Sequence, residues 1–315
     1  MIHYDFPLVP FLFATALSVN GLRKRSLSPS GAAAAFLTGI SMLSMPLRTP
    51  GISLIVFYLI GSSATRAGKK EKALLEDGHD KAGAGYRNGM QVFSNSASAL
   101  VAALLWGALH APGFPAARQV SRALGAHLVN YTPDAWCPLD ASANQGWSRA
   151  LLMIVLGHFA CCLGDTLASE LGILSKTPPI LLTTLSRVPP GTNGGLSLLG
   201  TVASISGGAA MGLTMFATLV AENSSCREQT ASLFWQLLLL GAGAGGFGSL
   251  LDSLLGATLQ RTQYSNTTKR ILTDTSAVPD SKADIKVVSG FDILTNNQVN
   301  LVSSTLTALA LGYVA

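Results

Sequence analysis

Charge is what this sequence most lacks. Only 12% of its 315 residues are Asp, Glu, Lys or Arg, about half the share of an ordinary soluble domain, while 49% are apolar. Aromatic residues are few, at 7%, and no basic face with interleaved rings appears, which argues against nucleic acid as a partner. The four cysteines, Cys137, Cys161, Cys162 and Cys226, form no CxxC pair and show no zinc spacing; the adjacent Cys161 and Cys162 read as small packing residues. No basic segment precedes the first apolar run. Instead "RKR" (residues 23–25) follows it, which suits a retained helix rather than a cleaved leader.

The apolar residues come in runs, and the mean hydropathy is +0.41. Backbone in lipid must satisfy its own hydrogen bonds, so this profile predicts an all-α, polytopic membrane protein. Eight stretches approach spanning length: 3–20, 28–45, 51–65, 90–110, 148–163, 196–220, 232–258 and 292–315. The whole chain, residues 1–315, reads as one integral-membrane domain.

Sixteen of the 21 Lys and Arg residues fall in the odd-numbered connections. The positive-inside rule puts those connections in the cytosol and both termini outside, with the endoplasmic reticulum the expected membrane. The sequons at Asn130 and Asn223 then lie outside, as do Cys137 and Cys226, where a disulfide could persist in an oxidising compartment.

Two segments align without gaps. In "LSPSGAAAAFLTGISM" (27–42) and "LSLLGTVASISGGAAM" (196–211), Leu27, Ser28, Gly31, Ala34, Gly39 and Met42 match Leu196, Ser197, Gly200, Ala203, Gly208 and Met211. "NGMQV" (88–92) is echoed by "TNNQV" (295–299). A parallel 4 + 4 repeat follows, with halves 1–110 and 148–315 and a linker loop at 111–147. The plainer alternative is that small residues recur wherever helices approach closely.

The polar motifs gather at helix mouths on the cytosolic side. "GDTLASELG" (164–172) ends an apolar run with Asp165 and Glu170; Asp252 interrupts "GSLLDSLLG". A lone carboxylate within such a run is a functional candidate by default. Five residues turn a helix by about 140°, so Asp165 and Glu170 can share a face only if the helix ends near them. Three acids on one side suggest a shared divalent cation, Mg2+, held by Asp165, Glu170 and Asp252. "GTNGG" gives Thr192, Asn193, Gly194 and Gly195 just before a helix, a candidate phosphate cradle or else a plain turn after Pro189-Pro190. It is no Walker motif, which needs Lys-Ser/Thr after the glycines. Arg87, Lys176 and Arg187 add positive charge, and Gln91, Asn297 and Asn300 offer polar contacts. Together these groups suit phosphoryl transfer to a lipid.

"GDTLASELG", "VPPGTNGGLSLLGTVAS", "DSLLGATLQ" and "NNQVN" resemble an integral-membrane family that includes transmembrane protein 19 and the phytyl-phosphate kinases of plants and cyanobacteria. In the kinase branch the resemblance implies transfer of phosphate from a nucleoside triphosphate, notably CTP, to a prenyl monophosphate. Thr295 departs from the family's usual Asp before the paired asparagines, which removes a possible metal ligand. A transporter and a non-catalytic membrane protein are the rival readings. Asp165 and Asp252 as neighbours favour the kinase; their separation across the midplane favours transport.

Overall fold

Each of the eight apolar stretches carries a helix in the computed structural model, which describes residues 7–75, 86–111, 113–272, 276 and 284–314. Helices α1 (Leu8–Arg23), α2 (Pro29–Leu43), α3 (Thr49–Arg66) and the one-turn α4 (Lys69–Lys72) come first. α5 (Gly89–Ser94) and α6 (Ala97–His110) replace the single helix expected over 90–110. The break falls at Asn95 and Ser96, where the Ser96 hydroxyl turns back to the Val92 carbonyl. The short α7 (Ala117–Leu124) precedes α8 (Trp147–Gly172), α9 (Leu198–Glu222), the one-turn α10 (Ser224–Arg227), α11 (Thr230–Leu259) and α12 (Asn296–Val314). The helices that contain α8, α9 and α11 are long and apolar enough to cross a membrane, and α1, α2 and α6 are shorter apolar helices.

The chain is mostly helical, but not purely so. β1 (Ile180–Leu181) pairs antiparallel with β2 (Gly195–Leu196). β3 (Thr262–Ser265) lies between β4 (Arg270–Leu272) and β5 (Ile285–Ser289) in a second antiparallel sheet. These short strands correct the all-α expectation. They lie in the polar connections, where water can satisfy open strand edges as lipid cannot.

Helix starts follow their sequences closely. Ser28 and Ser197 cap α2 and α9 in the same way, each hydroxyl accepting from the N–H three residues on, at Gly31 and Gly200. Gln91 and Gln298 also act alike, each side chain reaching back to the N–H three residues earlier, at Asn88 and Thr295.

Packing is led by glycine. Helices in lipid gain little from burying apolar surface against each other, so close backbone contact matters more. α9 and α11 meet along Ser204, Gly208 and Gly212 against Gly241 and Gly245, with no room for a Cβ at Gly208 or Gly245. α8 joins them at Gly164, where an added methyl would come within 2.8 Å of the Gly245 carbonyl oxygen and 3.0 Å of that of Ser204. Gly164 meets Gly207 while Gly172 meets Gly200, so α9 runs antiparallel to α8. α12 is also antiparallel to α8, packing Thr307 and Ala308 on Gly157. α8 is the axis of the molecule, with most of its apolar half fully buried.

The end where α8 begins is closed by rings and a disulfide. Trp106, His110, Tyr131 and Trp136 pack with centroids 4.8–5.7 Å apart. The Cys137–Cys226 bond lies beside them. Asn223 is buried, donates to the Tyr131 hydroxyl and the Trp136 carbonyl, and caps α10. Its sequon is therefore structural rather than a glycan acceptor, whereas Asn130 is exposed.

At the opposite end Lys72, 1% exposed, bonds Glu170 at 2.6 Å and donates to the Ala64 carbonyl. The pair ties the segment after α3 to the last turn of α8.

Two outcomes test this packing. Gly208→Val should lower stability by about 3 kcal/mol in a detergent melt. Gly243→Ala, with nothing within 4 Å, should be neutral or slightly stabilising. Lys72→Met leaves a carboxylate unpaired in a largely buried place and should cost about 3–5 kcal/mol. Adding Glu170→Gln to Lys72→Met should restore most of it; a double variant as unstable as the single one would show that the ion pair is not the reason.

Candidate functional site

Seven helix ends gather on one side. The turn after α3 meets the end of α8 (Gly68 on Leu174), and the end of α8 meets the start of α9 (Gly172 on Ser197 and Gly200). The glycine turn before α9 sits on Ser253 and Ala257 of α11. The lead into α12 bonds the end of α11, from Phe291 N–H to the Thr258 carbonyl and from Ile293 N–H to that of Leu259. The starts of α2 and α5 come together where Arg87 pairs with Ser26 and Ser28. The motifs read at separate helix mouths thus occupy a common face.

Asp165 and Asp252 share a small cavity with Asn300, Ser303, Cys161 and Cys162. Each Asp lies seven residues from its helix end, or about 10 Å, and Asn300 lies about 6 Å from the start of α12. Ser303 donates to Asp252 at 2.7 Å. The Asn300 Oδ1 is buried and accepts no hydrogen bond. Among the described residues no basic side chain lines the cavity. Two carboxylates, an orphan amide oxygen and a hydroxyl are hard oxygen donors, the set that magnesium takes alongside water and phosphate.

Glu170 stands apart. α8 does not unwind at "GDTLASELG" but continues to Gly172, so the 140° between Asp165 and Glu170 is kept. Asp165 turns to α11 and α12 while Glu170 turns to Lys72. Among the described residues no group of three or more His, Cys, Asp or Glu is placed to share a metal.

The "GTNGG" turn is a tight structural corner. Gly194 has φ +77°, and any Cβ there would collide with Ala257. Three N–H groups of the turn already have partners: Thr192 with the Pro189 carbonyl, Asn193 with the Thr262 hydroxyl and Gly195 with the Thr192 carbonyl. Lys176 and Arg187 are exposed in the connection between α8 and α9, and Asn297 is half-buried on the first turn of α12.

Arg87 is fixed from both sides. Its N–H donates to the Ser26 carbonyl, its own carbonyl accepts from Ser28, and its guanidinium donates to the Ser62 hydroxyl. A methyl added at Gly61 would lie 3.7 Å from Arg87 Nη2 and 3.6 Å from Thr166, the residue after Asp165. Arg87 and Gln91 also line a second, larger cavity between α1, α2 and α3.

Sequence reading missed Lys72, which is 98 residues from Glu170, and Ser303 as the partner of Asp252. It also missed the buried His158, whose Nδ1 lies 2.6 Å from the Ser98 hydroxyl two turns deeper in α8.

Comparison with known proteins places the chain among integral membrane proteins. The family described as "Integral membrane protein DUF92" matches residues 12–308. "Protein PGR" of Arabidopsis thaliana is 33% identical over 298 residues, covering 94% of this chain and 92% of that one. An uncharacterized membrane protein of Synechocystis is 26% identical over 238 residues, 75% of this chain and 73% of its own. One of Methanocaldococcus jannaschii is 34% identical over 116 residues, 37% of this chain and 43% of its own. No solved structure matches significantly. The family-level resemblance of the motifs is borne out, and the chain belongs to the integral-membrane family DUF92.

Proposed function

We propose that this chain is a magnesium-dependent prenyl-phosphate kinase that transfers the terminal phosphate of a nucleoside triphosphate, CTP being the first to test, to a prenyl monophosphate. The observation that carries the reading is the oxygen-lined cavity, in which Asp165 and Asp252 face the orphan Asn300 Oδ1 with no cation of the protein's own. Asp165, Asp252 and Asn300 would hold the ion, while Glu170, paired with Lys72, lies outside that set. When bound, magnesium supplies charge compensation for the triphosphate oxygens. Arg87, one glycine away from α8, meets the acceptor phosphate. Lys176 and Arg187 meet the triphosphate beside the turn of Thr192, Asn193, Gly194 and Gly195, and Gln91 and Asn297 add hydrogen bonds. An oxygen of the prenyl phosphate attacks the γ-phosphorus, the bond from γ-phosphorus to its bridging oxygen breaks, and nucleoside diphosphate leaves. The acceptor is already anionic, so the protein needs no nucleophile and no base; its task is positioning.

The same reading orients the molecule, with this face in the cytosol, eight helices crossing and both termini outside. The halves are a parallel repeat. The matched caps at Ser28 and Ser197, and at Gln91 and Gln298, support it because they recur at the aligned positions.

Purified protein given prenyl monophosphate, magnesium and a triphosphate should form prenyl diphosphate. Asp165→Asn and Asp252→Asn should each lower the rate by about 100-fold or more, and should weaken manganese binding followed by electron paramagnetic resonance. Wild-type protein that makes no diphosphate with any triphosphate would sink the kinase reading. Orientation has its own test. The native cysteines are either buried or disulfide-bonded, so cysteines introduced at exposed Lys70 and Thr267 can be labelled selectively. They should react only with reagents that enter the cytosol; labelling from outside intact cells would reverse the topology.

A further inference from the structure

The larger cavity has a graded lining. Arg87 is its only charged residue among the described ones, and Gln91, Asn95 and the Tyr58 hydroxyl stand among the other polar groups. Away from them the walls are mostly apolar, with Ala14, Ala35, Gly39 and Leu43 closed by Leu54 and Phe57; the buried Ser18 and Thr38 stand among them, the Thr38 hydroxyl spent on the Ala34 carbonyl. Arg87 is held beside the first turn of α2, since the Cβ missing from Gly31 would strike its carbonyl oxygen. Leu43 is the last residue of the same helix. From Ala35 to Leu43, its lining residues on α2, the slot follows that helix for about 12 Å. It holds about 760 Å³ of unfilled space, counting its open mouth.

We infer that this slot binds the hydrocarbon tail of the acceptor lipid, a single-chain prenyl monophosphate, with its phosphate at Arg87. The inference rests on the kinase reading for the identity of the head group, and it adds the place of the tail and a residue that limits its length. One cation at the end of an apolar slot complements an anionic amphiphile with one chain; a neutral alcohol would lose the Arg87 contact. The guanidinium lies one glycine from Thr166, so a phosphate held there lies against α8 at the depth of Asp165, about 100° around the helix from it. Gly39 stands deep in the slot. A methyl there would lie in ordinary contact with the Ala14 methyl, at 3.6 Å, so a larger side chain shortens the slot rather than displacing backbone.

The test uses a twenty-carbon prenyl monophosphate carrying a diazirine on its terminal isoprene unit, with the full chain in lipid nanodiscs. Cross-links should map to α2 and α3 near Gly39, Leu43 and Leu54. Unlabelled prenyl monophosphate should compete about tenfold better than the matching alcohol, and Arg87→Gln should erase that preference while the cross-links stay in place. Gly39→Leu, and independently Ala35→Leu, should weaken competition by the twenty-carbon phosphate about tenfold and leave a ten-carbon phosphate within about twofold. Cross-links spread over the outward helix faces, equal competition by alcohol and phosphate in the wild type, or an unchanged chain-length preference in both filled variants would each overturn the inference. Correct cross-links without diphosphate formation from any triphosphate would leave this site standing and remove the kinase reading alone.

Discussion

The contact on which the rest depends is the meeting of α8, α9 and α11 at Gly164, Ser204, Gly207, Gly208 and Gly245. Lipid offers helices no apolar reward for association, so a three-way approach of backbones holds only where side chains are absent. Its consequences run down the helices. The close pairing of α8 with α11 brings Asp165 and Asp252 to one cavity, although they are 87 positions apart in the chain. Antiparallel α9 then returns its start to the end of α8, which carries the glycine turn to α11. Two carboxylates at membrane depth would each carry a penalty of a few kcal/mol without compensation. The seam fixes where that penalty falls and gives it a shared remedy.

Much of this was legible because the signals are local. Apolar runs marked the helices and the matched motifs marked the polar face, while the caps that Ser28, Ser197 and Asn88 form at three helix starts came only with the structure. What could not be read depends on distance along the chain or on continuity through a motif. A shared face for Asp165 and Glu170 required α8 to end near them; packing of Gly164 against Gly245 and of Gly172 against Gly200 keeps it helical, and Glu170 is sent to Lys72 rather than to Asp165. Gly194 looked like freedom for a ligand and proves to be room for a neighbouring helix. Asn223 looked like a glycan acceptor and is a buried cap. The slot beside α2 has no motif because its identity lies in small side chains on three helices.

The molecule is polarised from end to end. One end is packed with aromatic rings and a covalent bond. The other gathers carboxylates, arginine and helix starts, with a slot leading inward from them. An alternating-access carrier needs a site that can open to either side. Asp165 and Asp252 each lie seven residues from a helix end, off the middle of α8 and α11, as the proposed one-sided site requires.

The Cys137–Cys226 bond has a bearing on biogenesis. Its partners are 89 residues apart, one before α8 and the other after α9. The bond cannot close until the ribosome has delivered both helices, and its cysteines reach each other only if α8 and α9 have folded back as a hairpin. Closure of this bridge therefore marks the moment in synthesis when the central hairpin has been inserted in the right order.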